Sequence, residues 1–201
     1  MTRLLLLSVL LVVTGLMPAN AEDIGTPLVD RKPIISSLGF SFVPPGGNNW
    51  YEKFGEDQIT YYKKINPTTG SSMFGGAKEY RTQTAFATPE EFRHWLSGRR
   101  NPKDAPSRYR TRSAKYVLEP KTGPFCVRYV EEYEDREAKN LFGHPFLVVM
   151  NYGITCLHPQ RLDSVVDIYY SYRYPPDNRS DSLMSEGESF VNSLKILEVK
   201  K

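Results

Sequence analysis

The chain has 201 residues, with 26 Lys and Arg against 23 Asp and Glu. That balance is too even for bulk charge to select nucleic acid or any other strongly charged partner, so only local clustering can. Its 13 Tyr, 10 Phe and 2 Trp argue against a disordered chain and for strands and a packed core.

The N-terminal residues MTRLLLLSVLLVVTGLMPANAED place one arginine before an apolar run from Leu4 to Met17, followed by Pro18 and the small-x-small triplet Ala19-Asn20-Ala21. This pattern predicts a signal peptide over residues 1–21, cleaved after Ala21. The apolar run falls short of the ~20 residues of a membrane span, and no cysteine stands at the cut to accept a lipid. The expectation is a secreted or periplasmic protein with no transmembrane segment in the mature chain. Residues 22–37 read as a loose leader. Residues 38–201 read as a single globular domain, within the usual range of about 50–250 residues.

LGFSFVPPGGNNWYEKF predicts a short strand stopped by Pro44-Pro45-Gly46-Gly47, DQITYYKKI a second strand, and EYRTQTAFAT a third. The intervening GSSMFGGAK lacks the Gly-Lys-Ser/Thr ending and the strand-loop-helix frame of a phosphate loop. It reads as a flexible hairpin loop, suited to lie as a lid over a groove. TPEEFRHWLSGRR is a helix: Thr88 caps, Pro89 suits the first position, and Glu91 completes a capping box. Phe92, Trp95 and Leu96 make its apolar stripe, and Gly98 is its expected stop. SAKYVLEP, GPFCVRYVEEYED, PFLVVMNYGITCLHP and DSVVDIYYSYRYPP follow as long antiparallel strands and hairpins. SEGESFVNSLKIL closes the chain as a second helix, with a capping box of Ser185 and Glu188 and apolar Phe190, Val191, Leu194 and Leu197.

The fold class expected is therefore α+β, a central antiparallel sheet with helices packed on it. In element order and aromatic placement, GFSFVPPGGNNWYE, SVVDIYYSYRYPP and GESFVNSLKIL resemble the PsbP-like domain, over about Leu38 to Leu197. That resemblance implies an α/β/α sandwich and a small, exported, non-enzymatic accessory domain that binds something else. It carries over no functional residue.

If the hairpin of GPFCVRYVEEYED and PFLVVMNYGITCLHP turns near Leu141, Cys126 and Cys156 stand opposite each other on neighbouring strands. Opposed β-carbons lie about 4.5–5.5 Å apart, close to disulfide reach. Two cysteines in an exported chain make a bridge the expectation. The competing reading keeps Cys156 reduced beside His158, but an i, i+2 pair on a strand is too far apart for nucleophile and base. A zinc site of the two cysteines with His144 and His158 lacks the paired ligand spacing. No metal, cofactor or catalytic set is expected from motif; GxSxG and HExxH are both absent.

The densest charge lies in GRRNPKDAPSRYRTRSAK, where Arg99, Arg100, Lys103, Arg108, Arg110, Arg112 and Lys115 face Asp104 alone. On a strand, Arg108, Arg110 and Arg112 would project in one row. Arginine's fork suits phosphate, sulfate or carboxylate, so Arg99, Arg100, Arg108, Arg110 and Arg112 are the candidate ligand-binding residues. The plainer reading pairs this stretch with the acidic EEYEDRE, Glu131 to Glu137. Tyr170, Tyr172 and Tyr174 share a strand face that packing explains. The expected function is an exported, monomeric, non-enzymatic accessory protein that binds an acidic protein or an anionic envelope component, not nucleic acid. The alternative is an extracellular or periplasmic hydrolase whose catalytic set spacing does not reveal.

Overall fold

The computed structural model describes residues 25–65, 71–100, 107–137 and 143–198. The signal-peptide reading of 1–21, with Lys103, Asp104 and the turn at Leu141, lies outside the described residues. Eight strands form one antiparallel sheet in the order β1 (Thr26–Pro27), β4 (Trp50–Phe54), β5 (Gln58–Lys63), β6 (Ser72–Arg81), β10 (Arg161–Tyr174), β9 (Leu147–His158), β8 (Cys126–Asp135) and β7 (Tyr109–Leu118). A three-stranded sheet joins β11 (Lys195–Ile196), β3 (Phe40–Phe42) and β2 (Ile34–Ile35). The helices are α1 (Pro89–Arg100) and α2 (Asp181–Asn192). The protein is thus α+β, built on a large antiparallel sheet. Among the described residues, no helix is long and apolar enough to cross a membrane.

Helix α1 begins as its residues predict. Thr88 Oγ1 accepts from the Glu91 N–H at 3.2 Å, and the Glu91 carboxylate accepts from the Ala87 N–H at 2.7 Å. It does not stop at Gly98, which stays helical at a cost of about 1 kcal/mol relative to Ala; the helix runs on to Arg100. Helix α2 begins at Asp181 rather than at Ser185, because Ser180 is its cap and accepts from the Leu183 N–H. Within residues 25–37 two short strands form, β1 pairing with β4 and β2 with β3.

Strand alternation sends two sets of residues to opposite faces of the large sheet. Tyr61, Met73, Ala77, Met150, Ile154, Val166, Ile168, Tyr170 and Tyr172 pack on one side with Met184, Phe190 and Val191 of α2. Val127, Tyr129, Leu157 and Val165 pack on the other with Phe92 and Leu96 of α1. The glycines Gly75 and Gly76, expected in a flexible loop or lid, lie inside β6. Neighbouring aromatic rings occupy the space their missing side chains leave. A Cβ on Gly75 would come within 3.1 Å of the Phe190 ring, and one on Gly76 within 3.1 Å of the Tyr169 hydroxyl. Gly153 is likewise covered by Tyr129. A glycine in a strand interior weakens it unless something approaches closely; here the ring supplies that contact.

Cys126 and Cys156 oppose each other in the β8–β9 register, which continues unbroken to Asp135 and Leu147. They form a disulfide across a sequence separation of 30 residues. In the chain-entropy picture this contributes about 3–4 kcal/mol. Replacing both cysteines with Ala is expected to lower the unfolding free energy by about that amount, read by denaturant titration; an unchanged midpoint would contradict the staple. Gly153→Ala, which collides with Tyr129, is expected to cost more than 2 kcal/mol, whereas Gly98→Ala, with nothing near its Cβ, should stabilise by roughly 0.5–1 kcal/mol.

Candidate binding site

Helix α1 covers only part of its face of the sheet, and its last residue reaches down beyond the covered part. Arg100 donates through Nε to Glu131 at 3.0 Å and through Nη1 to Asp167 at 2.9 Å. Its guanidinium lies 3.6 Å from the centroid of the Tyr129 ring. Glu131, 1% exposed, also accepts from the Tyr116 hydroxyl at 2.5 Å and the Asn151 amide at 3.3 Å. Asp167 accepts from the Tyr129 hydroxyl at 3.0 Å and the Thr155 hydroxyl at 2.9 Å. One cation thus faces two carboxylates, and neutral donors satisfy the remaining lone pairs, as buried charge requires.

The electrostatics of the cluster are one-sided. Burial works against the Arg100 charge, but Tyr129, Asp167 and Glu131 outweigh it and hold the pKa above the ordinary guanidinium value. Burial, reinforced by Asp167, pushes Tyr129 well above the usual phenol range. Burial also raises Tyr116 and Tyr133, with Glu131 adding to both. These phenols remain hydrogen-bond donors at neutral pH.

Past Arg100 two lateral rows of side chains continue this face of the sheet among the described residues. The register places Ser72, Arg173, Val149 and Tyr133 side by side in one, and Phe74, Ser171, Asn151 and Glu131 in the next. With Tyr109 and Arg100 they line a cleft of about 490 Å³, within the usual size of small-molecule sites, about 300–1,000 Å³. Behind it Asp135 is fully buried. Arg108 grips Asp135 with Nε at 3.1 Å and Nη2 at 3.0 Å, and Arg173 reaches it at 2.9 Å. On the other side of Arg100, a second cleft of about 410 Å³ is lined by Lys78, Tyr80, Arg81 and Arg99 with Asp57 and Asp167.

The five candidate arginines therefore divide. Arg100 and Arg108 are held by Glu131, Asp167 and Asp135, with Glu137 3.4 Å from Arg108. Arg99 lies over Tyr80 and Trp95, 5.8 and 5.3 Å from their centroids. Arg110 and Arg112 are exposed on β7, the edge strand. The expected row is broken, because a bulge between Thr111 and Ser113 makes Arg112 the extra residue. Charges and bulges also blunt an open sheet edge against self-pairing. Sequence reasoning missed Arg173 and Asp167 as members of this site; each is flanked by apolar or aromatic residues in β10, and only the register reveals its cross-strand neighbours.

The Cys156–His158 reading does not survive the geometry. The sulfur is in the bridge, and His158 is buried with Nδ1 accepting from the Gln160 N–H at 3.1 Å and Nε2 3.1 Å from the Leu197 carbonyl. That pairing places the ring proton on Nε2, and the imidazole ties β9 to the chain after β11.

Replacing Arg100 with Met leaves Glu131 and Asp167 without their cation and is expected to cost about 3–5 kcal/mol in denaturant unfolding. Lys, lacking the fork, should restore only part. Tyr80, raised to about 12 by burial and then by Asp167, has a folded pKa above its ordinary value of 10.0. Its contribution is therefore complete below pH about 10 and lost as pH rises through the folded value. Stability should be level up to that point and fall between pH about 10 and 12; a fall beginning at neutral pH would contradict this.

No protein-family model matches the chain, and no curated protein matches it. Among solved structures, the Saccharomyces cerevisiae Ran-binding protein Mog1p is similar over 84% of this chain and 96% of that one, at 11% identity and a TM-score of 0.43. At that identity and score, the likeness transfers neither partner nor site to this chain.

Proposed function

We propose that this chain is an exported, non-enzymatic accessory or binding protein of PsbP-like architecture, which engages an acidic partner along the β7 edge of its sheet. The observation that carries the reading is the contrast between the two sides of β7. On the inner side, Glu131, Asp135 and Glu134 of β8 are taken up by Arg100, Arg108 and Arg136. On the outer side, Arg110 and Arg112 are exposed, and neither has an ion-pair partner among the described residues. An acidic protein strand or an anionic envelope surface is the chemistry that such an edge complements. The disulfide suits an oxidising compartment, in keeping with export.

Arg108 is the wrong residue for a test, because its loss strands buried Asp135. The double reversal Arg110→Glu/Arg112→Glu touches no buried acid. Polyglutamate and phosphatidylglycerol vesicles represent the protein and lipid forms of an acidic partner. The wild-type protein should bind one of them in a salt-sensitive manner. The reversal should weaken that binding at least tenfold while moving the Tm by no more than a few degrees. If the arginines serve only to guard the edge, the reversed pair will bind as wild type and Arg110→Thr/Arg112→Thr will self-associate.

A further inference from the structure

The cleft beyond Arg100 has a chemistry of its own, independent of Arg110 and Arg112. We propose that it is a binding site for a small monocarboxylate carrying an aromatic or branched apolar body, with Arg173 as the carboxylate's partner. Arg173 spends one Nη on Asp135 at 2.9 Å, and its other N–H groups have no partner among the described residues. They sit in the floor of the cleft beside Ser72 and Ser171, whose hydroxyls are likewise unpartnered among the described residues. A planar fork with two flanking hydroxyls matches a carboxylate.

Charge selects among anions. Arg108 and Arg173 face Asp135, with Glu137 3.4 Å from Arg108, while Arg100 alone faces Glu131 and Asp167. With no positive charge to spare around the cleft, a single carboxylate on the open side of the Arg173 fork is accommodated more readily than a dianionic phosphate. Glu131, on the opposite side of the floor, already accepts from Arg100, Tyr116 and Asn151, so nothing in the cleft calls for a ligand ammonium.

The rest of the lining is apolar. Phe74 stands 36% exposed, held edge-on against Tyr169 at 6.2 Å. Tyr109 and Tyr133 meet edge to face at 6.3 Å, and Val149 lies between them and Arg173 in the floor. Rings and a branched side chain around a single cationic anchor describe a site for an amphipathic acid.

The same chemistry is offered by a free aryl acid and by a peptide ending in phenylalanine, and the test separates the two. Labelled protein is titrated with N-acetyl-phenylalanine, with a ten-residue peptide ending in Phe, with phenylalanine amide and with inorganic phosphate, following backbone amide shifts. N-acetyl-phenylalanine or the peptide should saturate shifts on β6, β8, β9 and β10 around the cleft; tighter binding of one identifies the source. The amide and phosphate should not saturate them. Arg173→Gln should weaken binding at least tenfold. Because that change also touches buried Asp135, two surface variants stand beside it. Phe74→Ala should weaken binding severalfold, and Ser72→Trp, which fills the cleft from an exposed position, should abolish it. Absence of saturable shifts with both acids, equal binding of phosphate, or undiminished binding by Ser72→Trp would each overturn the proposal. Arg110→Glu/Arg112→Glu should bind the acid as wild type, so this site and the acidic-partner edge can fail separately.

Discussion

The helix-bearing half of this sheet face depends on one guanidinium. Arg100 is the last residue of α1, and it bridges two carboxylates from different strands while lying flat on Tyr129. The bridge fixes the last described turn of the helix against the sheet. It also explains why Gly98 does not end the helix, since the last turn is anchored from below. Two buried acids with a single cation are tolerable only because tyrosine, threonine and asparagine donors complete their hydrogen bonding. The cluster is rigid for that reason, and it separates the two clefts that meet at Arg100.

The opposite face is held differently. Phe190 of α2 sits over Gly75, between Tyr61 and Tyr170 in neighbouring strands. Glu186, one turn earlier on α2, accepts from the Trp50 indole at 3.0 Å and from Lys63 at 2.5 Å. That carboxylate fastens the helix to the start of β4 and the end of β5, beside Gly47, which has a φ of +81° and no room for a side chain against Glu186. Ring over glycine is thus a recurring device on both faces of the sheet, and it produces close packing from strands that intrinsic propensity scores poorly.

This device marks the limit of what the sequence discloses. The long strands and α1 were legible because their signals are local: alternation, a capping box, an apolar stripe. The Cys126–Cys156 pairing was legible because an antiparallel register is simple to count. Gly75 and Gly76 were misread as loop because the rings that cover them, Phe190 of α2 and Tyr169 of β10, come from far later in the chain. The start of α2 was misplaced because two serines offer competing caps, and packing chose Ser180. The fates of the basic residues depended on register: the pairing of the basic stretch with EEYEDRE holds for Arg100 and Arg108, whereas the bulge at Arg112 and the position of Arg173 carry no local signature.

A rigid clamp, the cleft beside it and a partly engaged arginine on the cleft floor form one account of a binding surface. Its most direct test is a spectrum of arginine Nε–H groups at neutral pH, recorded with and without N-acetyl-phenylalanine. The account predicts that Arg100 and Arg108 give slowly exchanging signals that the acid leaves in place, while the Arg173 signal shifts on addition. Rapid exchange at Arg100, or displacement of the Arg100 signal with Arg173 unmoved, would contradict it.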